Sequence, residues 1–164
     1  MWHRLLLAID RFDSGQAALD FTIGLARGSG ADVRVLHARE LSRFSRIPPV
    51  ESVSDAQLLV DDAVLALRLA DIGAEGRTCS AIEERVATRI VAEAARWECD
   101  ALVLGSRRLR WVGRLSGRGI RERVVRLSPL PVIVAPTPLP GRRRRLFVPT
   151  SADDHLEGTR PRRQ

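Results

Sequence analysis

The segment of this 164-residue chain with the clearest chemical character is rich in glycine and arginine and spans residues 105–123. It holds seven arginines and one acidic residue, Glu122, so its net charge is +6. A guanidinium group can clamp a phosphate through two parallel hydrogen bonds. The composition of this segment therefore indicates chemistry with phosphate or another polyanion as the ligand.

A second basic region lies in residues 141–164, where seven arginines stand against three acidic residues. It contains the run Arg142–Arg145 and makes a nucleic-acid-binding module the main rival interpretation. No aromatic stacking platform accompanies these arginines, because tyrosine is absent and Trp111 alone lies in the first basic segment. Salt-dependent retention on nucleic acid, compared with retention on ATP resin, would discriminate the two interpretations.

The elements that must position these residues follow from the hydrophobic pattern. Short apolar runs alternate with segments of helical period, which favours a parallel sheet with crossover helices on both faces. We predict an α/β fold of the doubly wound, Rossmann-like kind, with four helices. Its five strands are expected at residues 4–9, 33–38, 77–82, 101–104 and 132–135.

The predicted helices alternate with these strands. The first begins with Asp13 or Ser14 as N-cap and ends at Gly28 and Gly30. The second opens with a capping box and stops at Gly73. Its capping box is Ser54-Asp55-Ala56-Gln57, and its apolar positions are Leu58, Leu65, Leu69 and Ile72. The third ends near Trp97, and the fourth, marked by Ile120, Val124 and Leu127, is stopped by Pro129.

In sheets of this kind, ligands bind at the carboxyl ends of the strands, where the strand order reverses. The natural candidates for that crevice are the loop after the first strand, around Asp10, and the loop after the fourth strand, from Gly105. His37 lies inside the second strand, a position more typical of a packed core histidine than of a base or ligand.

Several segments, taken in order, resemble the universal stress protein family over residues 3–136. The opening strand Leu6-Leu7-Ala8-Ile9-Asp10 and the second strand Val35-Leu36-His37-Ala38 are similar to that family. The C-terminal half carries the strongest resemblance, in Asp100-Ala101-Leu102-Val103-Leu104-Gly105-Ser106, Glu122-Arg123-Val124 and Pro129-Leu130-Pro131-Val132-Ile133-Val134. The resemblance implies the five-stranded fold of the adenine nucleotide alpha hydrolase-like group and a homodimer formed through the last strand.

ATP-binding members of the family carry a signature of three glycines after the fourth strand, with Ser or Thr after the third. Glycine lets backbone N–H groups form an anion-binding nest beside a helix N-terminus. In this chain Gly105 fills the first position, but Arg108 and Arg118 occupy the second and third, and Gly119 replaces the hydroxyl residue. Moving the alignment by one residue places Gly117 third, yet an arginine then follows it.

Two interpretations of this altered signature stay open. In one, the chain does not bind ATP and the loop is a solvated surface; in the other, arginines replace the glycine nest as an ATP- or anion-binding element. Asp10 matches an acidic residue near the adenosine end of the nucleotide, or serves the turn into the first helix. The candidate cofactor-binding residues are Asp10, Ala38, Gly105, Ser106, Arg108, Arg118, Gly119 and Ile120.

We expect a non-catalytic stress-response protein of the cytoplasm, with ATP as the candidate ligand and no assigned cofactor. The motif GxxxxGK[ST] is absent, and the glycines at 113, 117 and 119 do not fit GxGxxG. No apolar run approaches the ~20 residues needed to span a bilayer. We expect one domain over residues 1–136. Residues 137–164 are expected to form a basic tail that is either disordered or a truncated start of a second repeat.

Overall fold

The computed structural model describes residues 1–11, 13–41, 51–106 and 119–136. The described elements, in chain order, are β1 (Arg4–Ile9), α1 (Asp13–Ser29), β2 (Asp32–Leu41), α2 (Val53–Arg68), β3 (Ala74–Ile82), α3 (Glu83–Arg96), β4 (Ala101–Leu104), α4 (Ile120–Leu127) and β5 (Val132–Val134). The predicted alternation is confirmed, and the first and fourth strands have the predicted bounds. β2 and β3 are longer than predicted.

The five strands form one parallel sheet in the order β3-β2-β1-β4-β5. Helices α1 and α2 pack on one face, against inward side chains such as Leu5, Leu7 and Val35. Helices α3 and α4 pack on the other face, around Leu6 and Leu102. The chain order therefore reverses direction between β1 and β4, which makes their carboxyl ends the switch point of the sheet.

The start of α2 differs from the prediction. Ser52 is the N-cap, and its hydroxyl accepts a hydrogen bond from the Asp55 backbone amide at 3.0 Å. The Asp55 carboxylate accepts in return from the Ser52 amide, which completes a capping box two residues earlier than predicted. The prediction is wrong because the chain offers a serine at both 52 and 54, and Asp55 takes for Ser52 the reciprocal role that Gln57 was expected to take for Ser54.

The buried face of α2 also differs from the prediction. The buried side chains are Ala56, Leu59, Val60, Ala63, Val64 and Leu67. Leu58, Leu65 and Leu69 are instead 52%, 55% and 77% exposed, and only Ile72 of the predicted set is buried. The helix carries apolar residues on two faces, so the period alone could not identify the face that meets the sheet.

Candidate functional site

The two loops proposed to line the crevice emerge side by side. In the β1–β4 ladder, Ala8 stands opposite Leu104, so the chain leaves the sheet at Asp10 and Gly105 at nearly the same level. In the β1–β2 ladder, Ile9 stands opposite His37, which brings Ala38 level with Asp10. Asp10 and Gly105 therefore share the carboxyl edge of the sheet, as the sequence predicted. Ala38 lies inside β2 and packs against the hydrophobic cluster under α3 and α4, which agrees with the sheet-packing role that was the alternative for this residue.

The carboxylate of Asp10 is occupied by the turn into α1. Both of its oxygens lie within hydrogen-bonding distance of the Ser14 hydroxyl, at 3.0 and 2.8 Å, and the hydroxyl donates. Ser14 is buried inside the first turn of the helix rather than capping it, so the predicted capping role of Ser14 is wrong. This contact gives Asp10 the turn-forming role that was one of its two predicted roles.

Gly15 and Gly105 hold the two loops close together. A Cβ atom on Gly15 would collide with the backbone carbonyl of Asp10. A Cβ atom on Gly105 would lie 2.9 Å from the Ser14 carbonyl oxygen, closer than real Cβ atoms approach. Gly105 is therefore needed for the approach of the β4 loop to the first turn of α1, whether or not a ligand binds.

His37 is buried in the middle of β2, opposite the carboxyl end of β1, which agrees with its predicted place in the core. Its Nδ1 lies 2.9 Å from the carbonyl oxygen of Ile9, and its Nε2 lies 2.7 Å from a carboxylate oxygen of Glu51. The Arg39 guanidinium also donates to the Glu51 carbonyl, at 3.3 Å. These contacts tie the chain just before α2 to the ends of β1 and β2. The pairing with Glu51 has no signal in the sequence.

The carboxyl edge carries several acidic groups. Partial burial, together with the neighbouring Glu83 carboxylate, raises the pKa of Glu40, and Asp10 adds to the effect. Arg11 and His37 act in the opposite direction. Water screens these effects, because the Glu40 residue as a whole is exposed although its carboxyl group is partly desolvated. Burial is the largest cause of the raised pKa, ahead of the charges of the neighbouring groups.

The N-terminus of α4 completes the site. Gly119 is the N-cap and supplies no side-chain cap, and Ile120 is the first helical residue. The Glu122 carboxylate turns back to this end, with Oε2 2.6 Å from where a Cβ on Gly119 would lie. Arg121 pairs with Glu122 at 2.8 Å and donates to the Ser106 carbonyl at 3.0 Å. An internal carboxylate therefore lies beside the helix end that would receive a phosphate.

Arg123 of α4 links this helix to α3, which packs on the same face of the sheet. Arg123 Nη2 donates to the Glu83 carbonyl at 2.7 Å, at the start of α3. Its Nε atom is buried and has no hydrogen-bond partner within the described part of the chain. The glycine signature did not identify this arginine, which was included only in the stretch of positive charge over residues 105–123 and in the segment Glu122-Arg123-Val124 that resembles the family.

Of the eight predicted site residues, six are described, and all six lie near the carboxyl edge of the sheet. They are Asp10, Ala38, Gly105, Ser106, Gly119 and Ile120. Arg108 and Arg118 lie outside the described residues, as does the basic segment 137–164. The sequence analysis did not identify Gly15 and assigned no site role to His37, Glu51 or Arg121.

A fold and a switch-point crevice of this kind occur together in a known class of proteins. The model of the universal stress protein family matches residues 1–136, and the chain belongs to this family. No curated protein matches the chain significantly.

Solved structures of the family share the fold. A universal stress protein from Burkholderia pseudomallei is 21% identical, with a TM-score of 0.66 over 82% of this chain and 96% of its own. One from Archaeoglobus fulgidus, solved in complex with dAMP, is 24% identical, with a TM-score of 0.62 over 82% and 98%. A third, in complex with cAMP, is 21% identical, with a TM-score of 0.64 over 84% and 99%.

None of the helices in the described ranges has the length and apolar character needed to cross a bilayer.

Proposed function

We propose that this chain is a non-catalytic, stress-response member of the universal stress protein family whose ATP binding is weak or lost. The observation that carries this proposal is the Glu122 carboxylate beside Gly119 at the N-terminus of α4. A helix N-terminus attracts anions through its unpaired N–H groups and its dipole. A carboxylate already placed at that end supplies the negative charge internally, and its ion pair with Arg121 occupies a guanidinium that could otherwise meet a phosphate.

A further feature supports weak nucleotide binding. In the sequence, Arg108 and Arg118 stand where the family signature has glycine. Side chains at such positions resist positive φ angles and hinder the approach of backbone N–H groups to phosphate.

A second candidate function is an anion-binding regulator that uses arginines in place of the glycine nest. The specific observation in its favour is the buried Nε of Arg123, which lacks a partner among the described residues. The solved relatives in complex with dAMP and cAMP show that nucleotides occur within this fold. Under this alternative, binding would be electrostatic in origin and would weaken as salt is added.

The test is calorimetric titration of ATP at low and at moderate salt. The unmodified protein is compared with a triple variant that restores the signature, Arg108→Gly, Arg118→Gly and Gly119→Ser. A fourth change, Glu122→Gln, removes the internal carboxylate, and Glu84→Gln, in the first turn of α3, is its matched control. We expect Glu122→Gln, and not Glu84→Gln, to tighten ATP binding of the triple variant by about tenfold.

The two candidate functions give different results in this titration. If the triple variant gains ATP binding, the altered signature explains the loss. If the unmodified protein binds ATP tightly and the binding resists salt, the arginines are a working phosphate clamp and the proposal is wrong. Incubation with ATP should release no ADP in either case, which tests the proposed absence of catalysis.

We also propose that the chain forms a homodimer through β5. All three side chains of this edge strand are apolar and partly or largely exposed, with Val134 41% exposed. Val125 and Leu127 of neighbouring α4 are also exposed. The opposite edge strand, β3, instead presents charged groups such as Glu75 and Arg77, which discourage strand pairing. A location in the cytoplasm stays a prediction.

A further inference from the structure

The outer face of α2 carries a line of exposed leucines. Leu58, Leu65 and Leu69 lie 0, 7 and 11 residues along the helical path, and Leu69 keeps helical backbone angles as the C-cap. At 100° per residue these three positions fall within an arc of about 40° and extend over ~17 Å. We call these three residues the leucine stripe. Single exposed leucines are ordinary, but three exposed leucines aligned on one face of a helix indicate a contact surface.

Acidic residues border this stripe on both sides. Asp62 and Asp55 flank it along one side and Asp61 along the other, as their positions on the helix require. All three aspartates are exposed. A second copy of the same face is a poor occupant, because a symmetric contact would place aspartates against aspartates. The surface instead suits a segment that is both basic and apolar.

Such a segment exists in this chain. We propose that residues 142–148, Arg142-Arg143-Arg144-Arg145-Leu146-Phe147-Val148, dock on the leucine stripe of the same molecule. The apolar residues 146–148 cover the leucines, and the arginines face the bordering aspartates. Burial of the leucines provides the attraction, and the charge pairs determine the position of the segment.

The reach of the chain permits this contact. Residue 136 follows β5, and α2 packs over β2 and β3, roughly 17 Å away laterally at ~4.8 Å per strand. The outer face of α2 stands roughly 15 Å above the sheet, so the direct distance to the leucine stripe is roughly 23 Å. The eight residues 137–144 can extend up to ~28 Å. A rival segment, residues 107–112, has the sequence Arg-Arg-Leu-Arg-Trp-Val. It connects β4 to α4, whose contacts lie on the opposite face of the sheet from α2.

The first experiment records amide NMR spectra of the full chain. Serine replaces the four arginines 142–145 in one variant, and Arg107, Arg108 and Arg110 in a control. A second control changes Arg160, Arg162 and Arg163. We expect shift changes in the amides of residues 54–69 in the first variant only. If the chemical shifts of the α2 amides stay unchanged in that variant, or change equally in either control, the proposal is overturned.

The reciprocal experiment changes the aspartate border and measures hydrogen exchange of residues 146–148. Asp61→Asn has a matched control in Asp20→Asn, because each aspartate accepts from a glutamine four residues earlier at 2.9 Å. We expect Asp61→Asn to speed exchange of these amides about twofold to fivefold and Asp20→Asn to leave it unchanged. Equal effects of the two changes would count against docking on α2.

In the Val134→Arg variant, which should not form the proposed β5 dimer, concentration distinguishes docking within one molecule from docking between molecules. The α2 amide shifts should be independent of protein concentration between about 20 and 500 μM if the segment docks on its own chain. Shifts that move with concentration in this range would assign the contact to another molecule and overturn the proposal as stated.

Discussion

Gly15, in the first turn of α1, has a steric role that Gly24 of the same helix does not have. Gly15 leaves no room for a Cβ atom beside the Asp10 carbonyl, whereas Gly24 has open space around its Cβ position. The close approach at Gly15 allows the Asp10 carboxylate to reach the Ser14 hydroxyl. The geometry of the proposed binding edge therefore depends on the absence of a single methyl group.

We expect Gly15→Ala to lower the free energy of unfolding by roughly 1–3 kcal/mol, because the new methyl group forces the Asp10 backbone to shift. Gly24→Ala, in the interior of the same helix, is the matched control and should raise it by about 0.5–1 kcal/mol. Urea unfolding followed by circular dichroism measures both values. A harmless Gly15→Ala would show that the turn is not tightly packed.

Asp100 provides a second prediction at this scale. Its carboxylate accepts from the backbone amides of His3 and Arg4, at 2.5 and 2.8 Å, and these bonds lower its pKa. The folded protein therefore holds this proton less tightly than the unfolded chain does. The carboxylate stabilises the fold above the unfolded pKa of ~3.9, and this contribution is lost as the pH falls through and below that value.

Accordingly, Asp100→Asn should make the stability less dependent on pH between about pH 5 and pH 3. Urea midpoints measured across this range give the dependence. Asp20→Asn, at an exposed position on α1, is the control for the removal of one carboxylate. An unchanged slope in Asp100→Asn would mean that the two amide contacts do not distinguish the folded from the unfolded state.

The connections between elements contain two strained positions. Glu98 follows the C-cap of α3 with φ of 53°, and Asp71 lies between α2 and β3 with φ of 60°. Residues with a Cβ atom pay roughly 1–2 kcal/mol in this left-handed region. The carboxylate of Glu98 makes an ion pair with Arg4 at 3.5 Å, but both groups are exposed and the pair contributes little.

We expect Glu98→Gly to raise the free energy of unfolding by about 0.5–1 kcal/mol, because glycine adopts positive φ without a steric cost. Arg85→Gly places a glycine at an exposed position with ordinary helical backbone angles in α3, and it should lower the free energy of unfolding by about 1 kcal/mol. Thermal unfolding reports both changes. Destabilisation by Glu98→Gly would indicate that the side chain contributes more than its strain costs.

At the scale of the whole molecule, the two edges of the sheet differ in chemistry. The outer strand β5 has three residues, all apolar, whereas β3 has nine and carries charged and polar side chains. An apolar edge strand that leaves backbone groups unpaired favours association with another strand. The proposed dimer would cover this edge and the exposed apolar residues of α4 beside it.

Val134→Arg should therefore shift the mass measured by light scattering from dimer to monomer at tens of micromolar, because it places like charges face to face across the proposed contact. Val53→Arg, an equally large change at an exposed position of α2, should leave the mass unchanged. A monomeric mass for the unmodified protein would contradict the dimer itself.

The sequence by itself determined the order of the elements and the place of the crevice. The runs that became β1 and β4 are buried on both faces of the sheet and are therefore continuously apolar, so their bounds could be predicted. Once a parallel sheet with crossovers was inferred, the general rule that ligands bind at the carboxyl ends of the strands pointed to the loops at Asp10 and Gly105. These properties depend on local pattern and on general rules of topology.

Only the tertiary structure decided which face of α2 is buried and which groups meet at the carboxyl edge. Leucines occur on both faces of that helix, and the packing against β2 and β3 selected Leu59, Val60 and Ala63 over Leu58 and Leu65. The pairing of His37 with Glu51 joins residues 14 positions apart, and Gly105 meets Ser14 across the sheet. Such contacts depend on distances between elements, which residue types and periodicity along a chain do not specify.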